Sequence, residues 1–153
     1  MKLLVVNDTH IRGTTPSRRV DNFKETLLNK LAEVQQLVEE KEVDYVLHSG
    51  DLFDRPDTAP SIVSEFVKVL RNFTVPIYLV AGNHDLYGHN PETLSRTMLG
   101  LLVASGIVNL IPEQGIILEK DNIKLQLTGK NFDYNVDNDI DAYGVKKQSG
   151  VDY

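Results

Sequence analysis

The sequence predicts an α/β fold in which parallel βαβ units are followed by the start of a second, antiparallel sheet. Short apolar runs that suit buried strands alternate with segments whose apolar residues recur every three or four positions, as in amphipathic helices. Strands that alternate with helices indicate right-handed crossovers and a parallel sheet. After Gly106 the pattern changes to short strands in which apolar and polar residues alternate, which is typical of antiparallel sheets.

The first part of the chain contains three strands and three helices in alternation. We predict strands at 2–6, 45–48 and 76–80, and helices at 20–41, 61–71 and 93–104. The run at 2–6 is almost continuously apolar, which predicts a strand buried on both faces of its sheet.

The second part predicts shorter strands and an acidic segment. Strands are expected at 108–111, 115–119 and 123–128, with a hairpin turn between the last two. Residues 131–141 contain few apolar side chains but four aspartates, which predicts a surface loop or a disordered tail: Asp133, Asp137, Asp139 and Asp141. We treat 1–153 as one domain, with a βαβ half at 1–111 and the beginning of the second sheet and the acidic loop at 112–153.

Composition limits the classes of protein to consider. A chain of 153 residues that is 41% hydrophobic is long enough for one domain with a core. The absence of cysteine excludes disulfides and thiolate metal sites, and the sequence contains neither a secretory leader nor an apolar run of about 18 residues. We therefore expect a cytoplasmic protein that does not enter the membrane. The net charge of −6 counts against a simple DNA-binding module, but less against a metal enzyme, because divalent cations would reverse the local field.

Polar residues follow the first three predicted strands at the point where each strand ends. They are Asp8 and His10, then Asp51 and Asp54 after Gly50, then Asn83, His84 and Asp85 after Gly82. Each alone is an ordinary turn or cap residue, but ligands collect at the carboxyl ends of parallel strands. Three such groups in succession indicate one metal site with oxygen and imidazole ligands, which suits Mn, Mg, Fe or Zn.

These motifs resemble those of the calcineurin-like metallophosphoesterases. The D-x-H motif is Asp8-Thr-His10, G-D-x-x-D lies at 50–54 and G-N-H-D at 82–85, and the resemblance extends over residues 1 to about 111. Gly-Asp-Leu-Phe-Asp before a proline-containing segment, and the aliphatic stretch that leads into Gly-Asn-His-Asp, are most similar to SbcD-type DNA repair exonucleases. The resemblance implies the N-terminal part of an α/β/β/α sandwich, and a metal-dependent phosphodiester hydrolase acting on DNA beside an SbcC-like ATPase.

The resemblance also implies a site for two divalent metal ions, with Mn preferred over Mg, Fe or Zn. Asp8 and His10 would bind the first ion, Asp51 would bridge both ions, and Asn83 would bind the second. An ionised carboxylate such as that of Asp51 suits a bridging position because it offers two oxygens with several lone pairs.

The same resemblance assigns supporting roles. His84 would act on the scissile phosphate without binding metal, Asp85 would orient His84, and Asp54 would support a ligand. Four arginines beside the motifs would contact substrate phosphate if they cluster there: Arg12, Arg18, Arg19 and Arg55.

The sequence departs from the family pattern in its later part. The family completes its site with three more histidines, one after a strand and two in a G-H-x-H motif, whereas this chain offers only His48, inside an apolar strand, and His89. We therefore expect the chain to be the N-terminal part of a longer protein, inactive alone. The sequence is also compatible with a phosphatase or phosphodiesterase acting on a small molecule or phosphoprotein, and with a non-catalytic module. It does not determine the oligomeric state.

Overall fold

A parallel sheet of four strands, in the order β1-β2-β3-β4, organises the chain. A computed structural model describes residues 1–135, 138, 141 and 143–153. The strands are β1 (Leu3–Val6), β2 (Tyr45–His48), β3 (Ile77–Leu79) and β4 (Asn109–Leu110). The helices between them are α1 (Phe23–Glu40), α2 (Pro60–Leu70) and α3 (Met98–Ala104). The predicted alternation and the predicted parallel sheet are therefore confirmed.

The core lies between this sheet and its helices. Leu4, Val46 and Ile77 are register partners across β1, β2 and β3, so their side chains share one face. They pack with residues of the first two helices that are likewise withdrawn from solvent, among them Leu31 and Phe66. Because successive right-handed crossovers in a sheet of this order all place their helices on one side, a single helical layer covers this face.

The opposite face of β1 differs from the expectation of burial on both sides. Val5 is 60% exposed and Leu3 is 37% exposed. Among the described residues, the second sheet reaches this side of the first at Tyr45, whose hydroxyl donates a hydrogen bond to the carbonyl of Glu119 (3.3 Å). An apolar strand pattern shows that a residue is suited to burial but does not show which element covers it.

The predicted helix at 93–104 is divided in the structure. Residues Pro91–Arg96 form a 3₁₀ helix, and Thr97 then adopts an extended conformation (φ −99°, ψ 167°) before α3 begins. The Thr97 hydroxyl accepts a hydrogen bond from the Gly100 N–H (3.0 Å), which is the contact expected of a helix N-cap. The single-helix prediction was wrong here because threonine offers the backbone this alternative partner.

The second sheet is the antiparallel pair β5 (Ile116–Lys120) and β6 (Ile123–Leu127), as expected. Both turn residues between them, Asp121 and Asn122, have positive φ (52° and 64°), which suits a tight hairpin. The last residues lie along β6, where the Gln126 N–H donates to the Tyr153 carbonyl (2.8 Å).

Part of the acidic segment can be placed. Phe132 donates its backbone N–H to the carbonyl of Ala81 (2.8 Å), so this segment begins against the end of β3. Asp137 and Asp139 lie outside the described residues. In the part of the chain that the structure describes, no helix combines the length and apolar character needed to cross a membrane.

Candidate metal centre

The ends of β1 and β2 bring two carboxylates and an imidazole together. Ligand atoms of Asp8, His10 and Asp51, here called the ligand cluster, all lie within 4.8 Å of one another. His10 Nε2 lies 3.9 Å from Asp51 Oδ2. The Asp8 carboxylate makes no hydrogen bond within the described residues, and it is exposed. The cluster therefore places carboxylate oxygens and an imidazole nitrogen close enough together to bind one cation.

The backbone of the ligand cluster is strained. Asp8, His10 and Asp51 all have positive φ, at 49°, 44° and 53°. Residues with a Cβ rarely adopt this region, and each such conformation persists only where the surrounding structure enforces it. The fold thus accepts backbone strain at all three members of the cluster, and strain of this kind concentrates at functional sites.

Backbone hydrogen bonds join the loops after β1 and β2 to each other. The N–H groups of His10 and Ile11 donate to the carbonyls of Asp51 (3.0 Å) and Leu52 (2.8 Å). Ile11 forms an isolated parallel bridge with Phe53, and both side chains are 0% exposed. These contacts hold the ligand-bearing loops in register beyond the ends of the strands.

The glycines of the second and third motifs allow a close approach between two loops. Gly50 has φ 103°, and a Cβ there would lie 2.8 Å from the backbone nitrogen of Gly82. A Cβ on Gly82 would lie only 2.1 Å from Asp51 Oδ1. The same Asp51 oxygen accepts the His84 N–H (2.9 Å). The carboxylate of Asp51 therefore packs against the Gly82 backbone and is hydrogen-bonded to the backbone of the loop after β3.

Asp85 differs from its expected role. Its carboxylate is 0% exposed and accepts the N–H groups of Leu52 (3.3 Å), Phe53 (3.0 Å) and Gly82 (3.0 Å). Burial raises the pKa of the Asp85 carboxyl, although these three donors oppose the shift. The expected contact with His84 is absent from the described residues. Asp85 instead ties the loop after β2 to the loop after β3.

His84 is held by Asp54 instead. Its Nδ1 lies 2.9 Å from the Asp54 carbonyl oxygen, and because a carbonyl only accepts, Nδ1 must carry the proton. Neutral His84 therefore has Nε2 as its unprotonated nitrogen. The rings of His84 and His10 pack edge to face, with their centroids 4.7 Å apart. Ligand atoms of His10, Asp54 and His84 also lie within 4.8 Å of one another.

Asn83 lies between Gly82 and His84 in the same loop. Its side chain makes no hydrogen bond within the described residues, and the residue is half-buried. The loop therefore places an uncommitted amide beside the backbone on which the Asp51 carboxylate is seated.

His48 has a part in the site that the sequence did not reveal. It is a core histidine, 5% exposed. Its Nδ1 accepts the Gly50 N–H (3.2 Å), and its Nε2 lies 3.2 Å from the hydroxyl of Thr9, which donates to the Leu52 carbonyl (3.0 Å). Burial lowers the pKa of His48 to about 4, so the neutral ring links the first two motif loops. A polar ring inside an apolar strand was the available signal, because buried polar atoms need partners.

The four arginines do not form a cluster of free cations. Arg12 donates to an Asp54 carboxylate oxygen (3.1 Å), so it contacts a motif residue. Arg19 and Arg55 each make an ion pair with the aspartate two residues later (2.7 and 3.1 Å). Arg18 is exposed and has no ion pair within the described part of the chain. Three of the four guanidinium groups are therefore neutralised by carboxylates.

The donor set of the ligand cluster fits a divalent cation. Carboxylate oxygens and an imidazole nitrogen suit Mn, Mg, Fe and Zn, and two carboxylates this close to each other repel unless a cation lies between them. The preorganised loops mean that little ordering is needed when a cation binds.

Comparisons with known proteins agree with the motifs. The family model described as calcineurin-like phosphoesterase matches residues 1–147. The 3′,5′-cyclic adenosine monophosphate phosphodiesterase CpdA of Haemophilus influenzae is 29% identical over 97 residues, which are 63% of this chain and 34% of that protein. The DNA double-strand break repair protein Mre11 of Thermoplasma acidophilum is 33% identical over 91 residues, 56% of this chain and 23% of that protein.

A solved structure gives a similar comparison. The Pseudomonas putida nuclease MPE shares 25% sequence identity at a TM-score of 0.47, over 76% of this chain and 50% of that one. The chain spans about a third or less of the curated relatives above. Because the family model covers nearly the whole chain, the resemblance inferred from the three motifs is confirmed, and the chain belongs to the calcineurin-like phosphoesterase family.

Proposed function

We propose that this chain is the ligand-bearing half of a metal-dependent phosphodiester hydrolase. The observation that carries the proposal is the ligand cluster, in which Asp8, His10 and Asp51 place their ligand atoms within 4.8 Å of one another on strained backbone. Family membership supports it, because the calcineurin-like phosphoesterases use divalent metals. In this proposal residues 1–153 are one domain, divided at about residue 111.

Asp8 and His10 would hold a first ion, Asp51 would bridge to a second, and Asn83 would contribute its amide oxygen to the second. When bound, two divalent cations supply Lewis-acid charge to the phosphate and lower the pKa of a water molecule. Mn is the proposed metal. The residues of this chain orient that chemistry, because the Gly82 backbone and the His84 N–H fix the position of the Asp51 carboxylate.

His84 is proposed as the catalytic residue. The Asp54 carbonyl fixes the proton on Nδ1, so that Nε2 is the atom that takes up a second proton and donates it to the leaving oxygen. Groups of this kind contribute roughly 10²- to 10⁴-fold to the rate. The Arg12 guanidinium donates a hydrogen bond to the carboxylate of Asp54 and so supports the residue whose carbonyl positions His84.

The proposed substrate is DNA, cleaved as by SbcD-type nucleases in the cytoplasm with an SbcC-like ATPase as partner. Mre11 relatives from three archaea, each 31–33% identical over 91–101 residues, support a DNA repair nuclease. A second candidate is a phosphodiesterase for a small nucleotide. The match to CpdA and the net charge of −6 favour it, since a small diester needs little electrostatic attraction.

The test uses the purified chain with Mn²⁺ and three diesters: bis(4-nitrophenyl) phosphate, 3′,5′-cyclic AMP and single-stranded DNA. We expect metal binding, measured by Mn²⁺ broadening of the His10 ring signals, to vanish in Asp51→Asn. We also expect any hydrolysis to stop when the metal is chelated. Full hydrolysis in excess chelator would contradict the proposal, and the preferred diester decides between the two substrates. Because the chain is expected to be inactive alone, metal binding without turnover of any diester would not contradict the proposal, whereas absence of metal binding would favour a non-catalytic module.

A further inference from the structure

Three aromatic rings form a cluster beside the loop after β3. The ring centroids of His89 and Phe132 lie 5.9 Å apart with an interplanar angle of 82°. Those of Phe132 and Tyr134 lie 6.0 Å apart with an interplanar angle of 73°. Tyr134 is 54% exposed, His89 is exposed and Phe132 is half-buried. We call these three residues the aromatic cluster. Its outer members leave much of their ring surface in contact with solvent.

Three hydrogen bonds join residues 131–134, which include two members of the aromatic cluster, to the chain on either side of Asn83 and His84. The Phe132 N–H donates to the Ala81 carbonyl, and the Ala81 N–H donates to the side chain of Asn131, both at 2.8 Å. Ala81 directly precedes the Gly-Asn-His-Asp motif. The Tyr134 hydroxyl donates to the carbonyl of Gly88, four residues after His84. Residues 131–134 are therefore hydrogen-bonded to the chain just before the third motif and to Gly88 just after it.

His89 adds a second sign of a functional constraint. It has φ 58°, in the left-handed region that a residue with a Cβ rarely adopts. Strained residues persist where the structure enforces them, often beside ligands. The His89 ring contacts Phe132, and the residue is exposed to solvent.

The charge distribution indicates what such rings would bind. The net charge is −6, and carboxylates already pair with Arg12, Arg19 and Arg55. Neutralisation of phosphates by basic side chains supplies most affinity in ordinary nucleic-acid binding, and the negative net charge and these ion pairs disfavour it here. Stacking of a base on an aromatic ring needs no positive charge and contributes roughly five- to a hundredfold in affinity per base.

We propose that His89, Phe132 and Tyr134 form a stacking subsite for a nucleobase attached to the phosphodiester that the metal centre receives. This inference rests on the proposed function and adds a binding subsite to it, because both proposed substrates are nucleotide diesters that carry a base. The base belongs either to a nucleic-acid strand or to a cyclic nucleotide, because both present the same π-face.

The test is ring-proton NMR of the whole chain in a buffer with chelator, so that metal binding does not contribute. The probes are thymidylyl-thymidine, 3′,5′-cyclic AMP, and a diester of the same backbone with both bases removed. We expect upfield shifts of His89 and Tyr134 signals with at least one of the two nucleotides, and none with the base-free diester. Which nucleotide binds identifies the source of the base. Equal shifts with the base-free diester, or no shifts with any probe, would overturn the inference.

Matched variants separate stacking from a merely structural tether. Tyr134→Leu removes the ring and should weaken nucleotide binding at least fivefold, whereas Tyr134→Phe keeps the ring, loses the bond to Gly88 and should bind within twofold of the parent. Tyr153→Leu, at a residue 74% exposed, controls for loss of a surface tyrosine. Equal weakening in Tyr134→Phe and Tyr134→Leu would assign the cluster to tethering and refute stacking.

Failure of this inference can be told apart from failure of the proposed function. Metal-dependent hydrolysis of bis(4-nitrophenyl) phosphate requires no nucleobase. Hydrolysis without ring shifts would refute the stacking subsite alone, and ring shifts without metal binding or hydrolysis would refute the proposed function alone.

Discussion

Replacement of Gly82 by alanine tests whether close backbone packing positions the Asp51 carboxylate. The added Cβ would lie 2.1 Å from Asp51 Oδ1 and 2.4 Å from the Asp51 backbone nitrogen. Cβ atoms essentially never approach another heavy atom within 3.0 Å, so the carboxylate must move by about 1 Å. Asp51 is the member of the ligand cluster that lies in the loop after β2, and it is proposed to bridge both ions.

We expect this displacement to weaken Mn²⁺ binding by about 10- to 100-fold, as for loss of a contact that orients a ligand. The assay is Mn²⁺ broadening of the His10 ring signals, with the free energy of unfolding measured in urea alongside it. Overpacking should also lower that free energy by about 1–3 kcal/mol.

The matched control is Gly106→Ala. Gly106 has φ 70° and nothing within 4 Å of the added Cβ, so this variant carries a backbone cost of about 1 kcal/mol without a clash. Gly106→Ala should therefore lose stability and keep its metal affinity. If Gly82→Ala bound Mn²⁺ as tightly as the parent chain, the glycine would not be what positions Asp51.

Three further predictions concern individual side chains. His84→Ala should lower any turnover by roughly 10²- to 10⁴-fold while keeping Mn²⁺ broadening at His10; loss of metal from that variant would make His84 a ligand. The pKa of His48 falls from 6.5 in the unfolded chain to about 4 in the folded protein, so the folded protein favours the neutral ring. The contribution of His48 to the free energy of unfolding is therefore complete above pH 6.5 and is lost as the pH falls towards 4. Urea unfolding at pH 7 and pH 5 should show a loss of about 2 kcal/mol that His48→Gln does not show; an equal loss in both proteins would refute it. Asp85→Asn leaves one acceptor oxygen for three N–H donors and should lower the free energy of unfolding by about 1–3 kcal/mol, measured in urea; an unchanged value would mean that these bonds contribute nothing.

The positions of the first motif residues could be predicted because they depend on strand order alone. Parallel strands end at one edge, so Asp8, His10 and Asp51 had to lie near one another once β1 and β2 were recognised as neighbours. The bounds of β2 were predicted without error, since turn residues flank a short apolar run.

Other features depend on partners distant in sequence. No local pattern shows that Asp85 accepts N–H groups from residues 52 and 53, or that the Asp54 carbonyl holds His84. His48 looked like an ordinary core residue because the sequence does not contain the positions of Thr9 and Gly50. Hydrogen bonds of this kind become visible only when the loops are placed in space.

The bridge between Ile11 and Phe53 has a consequence for how the chain folds. His10 and Asp51 are 41 positions apart in the sequence, and the segment that contains α1 must be closed into a loop before they meet. Such non-local parallel pairings form slowly because loop closure precedes any gain in contacts. A metal ion bound at the cluster would therefore stabilise the native state and not an early intermediate. Mn²⁺ should slow unfolding and leave the refolding rate nearly unchanged. Metal binding during refolding would then mark a late step, after the two loops have met.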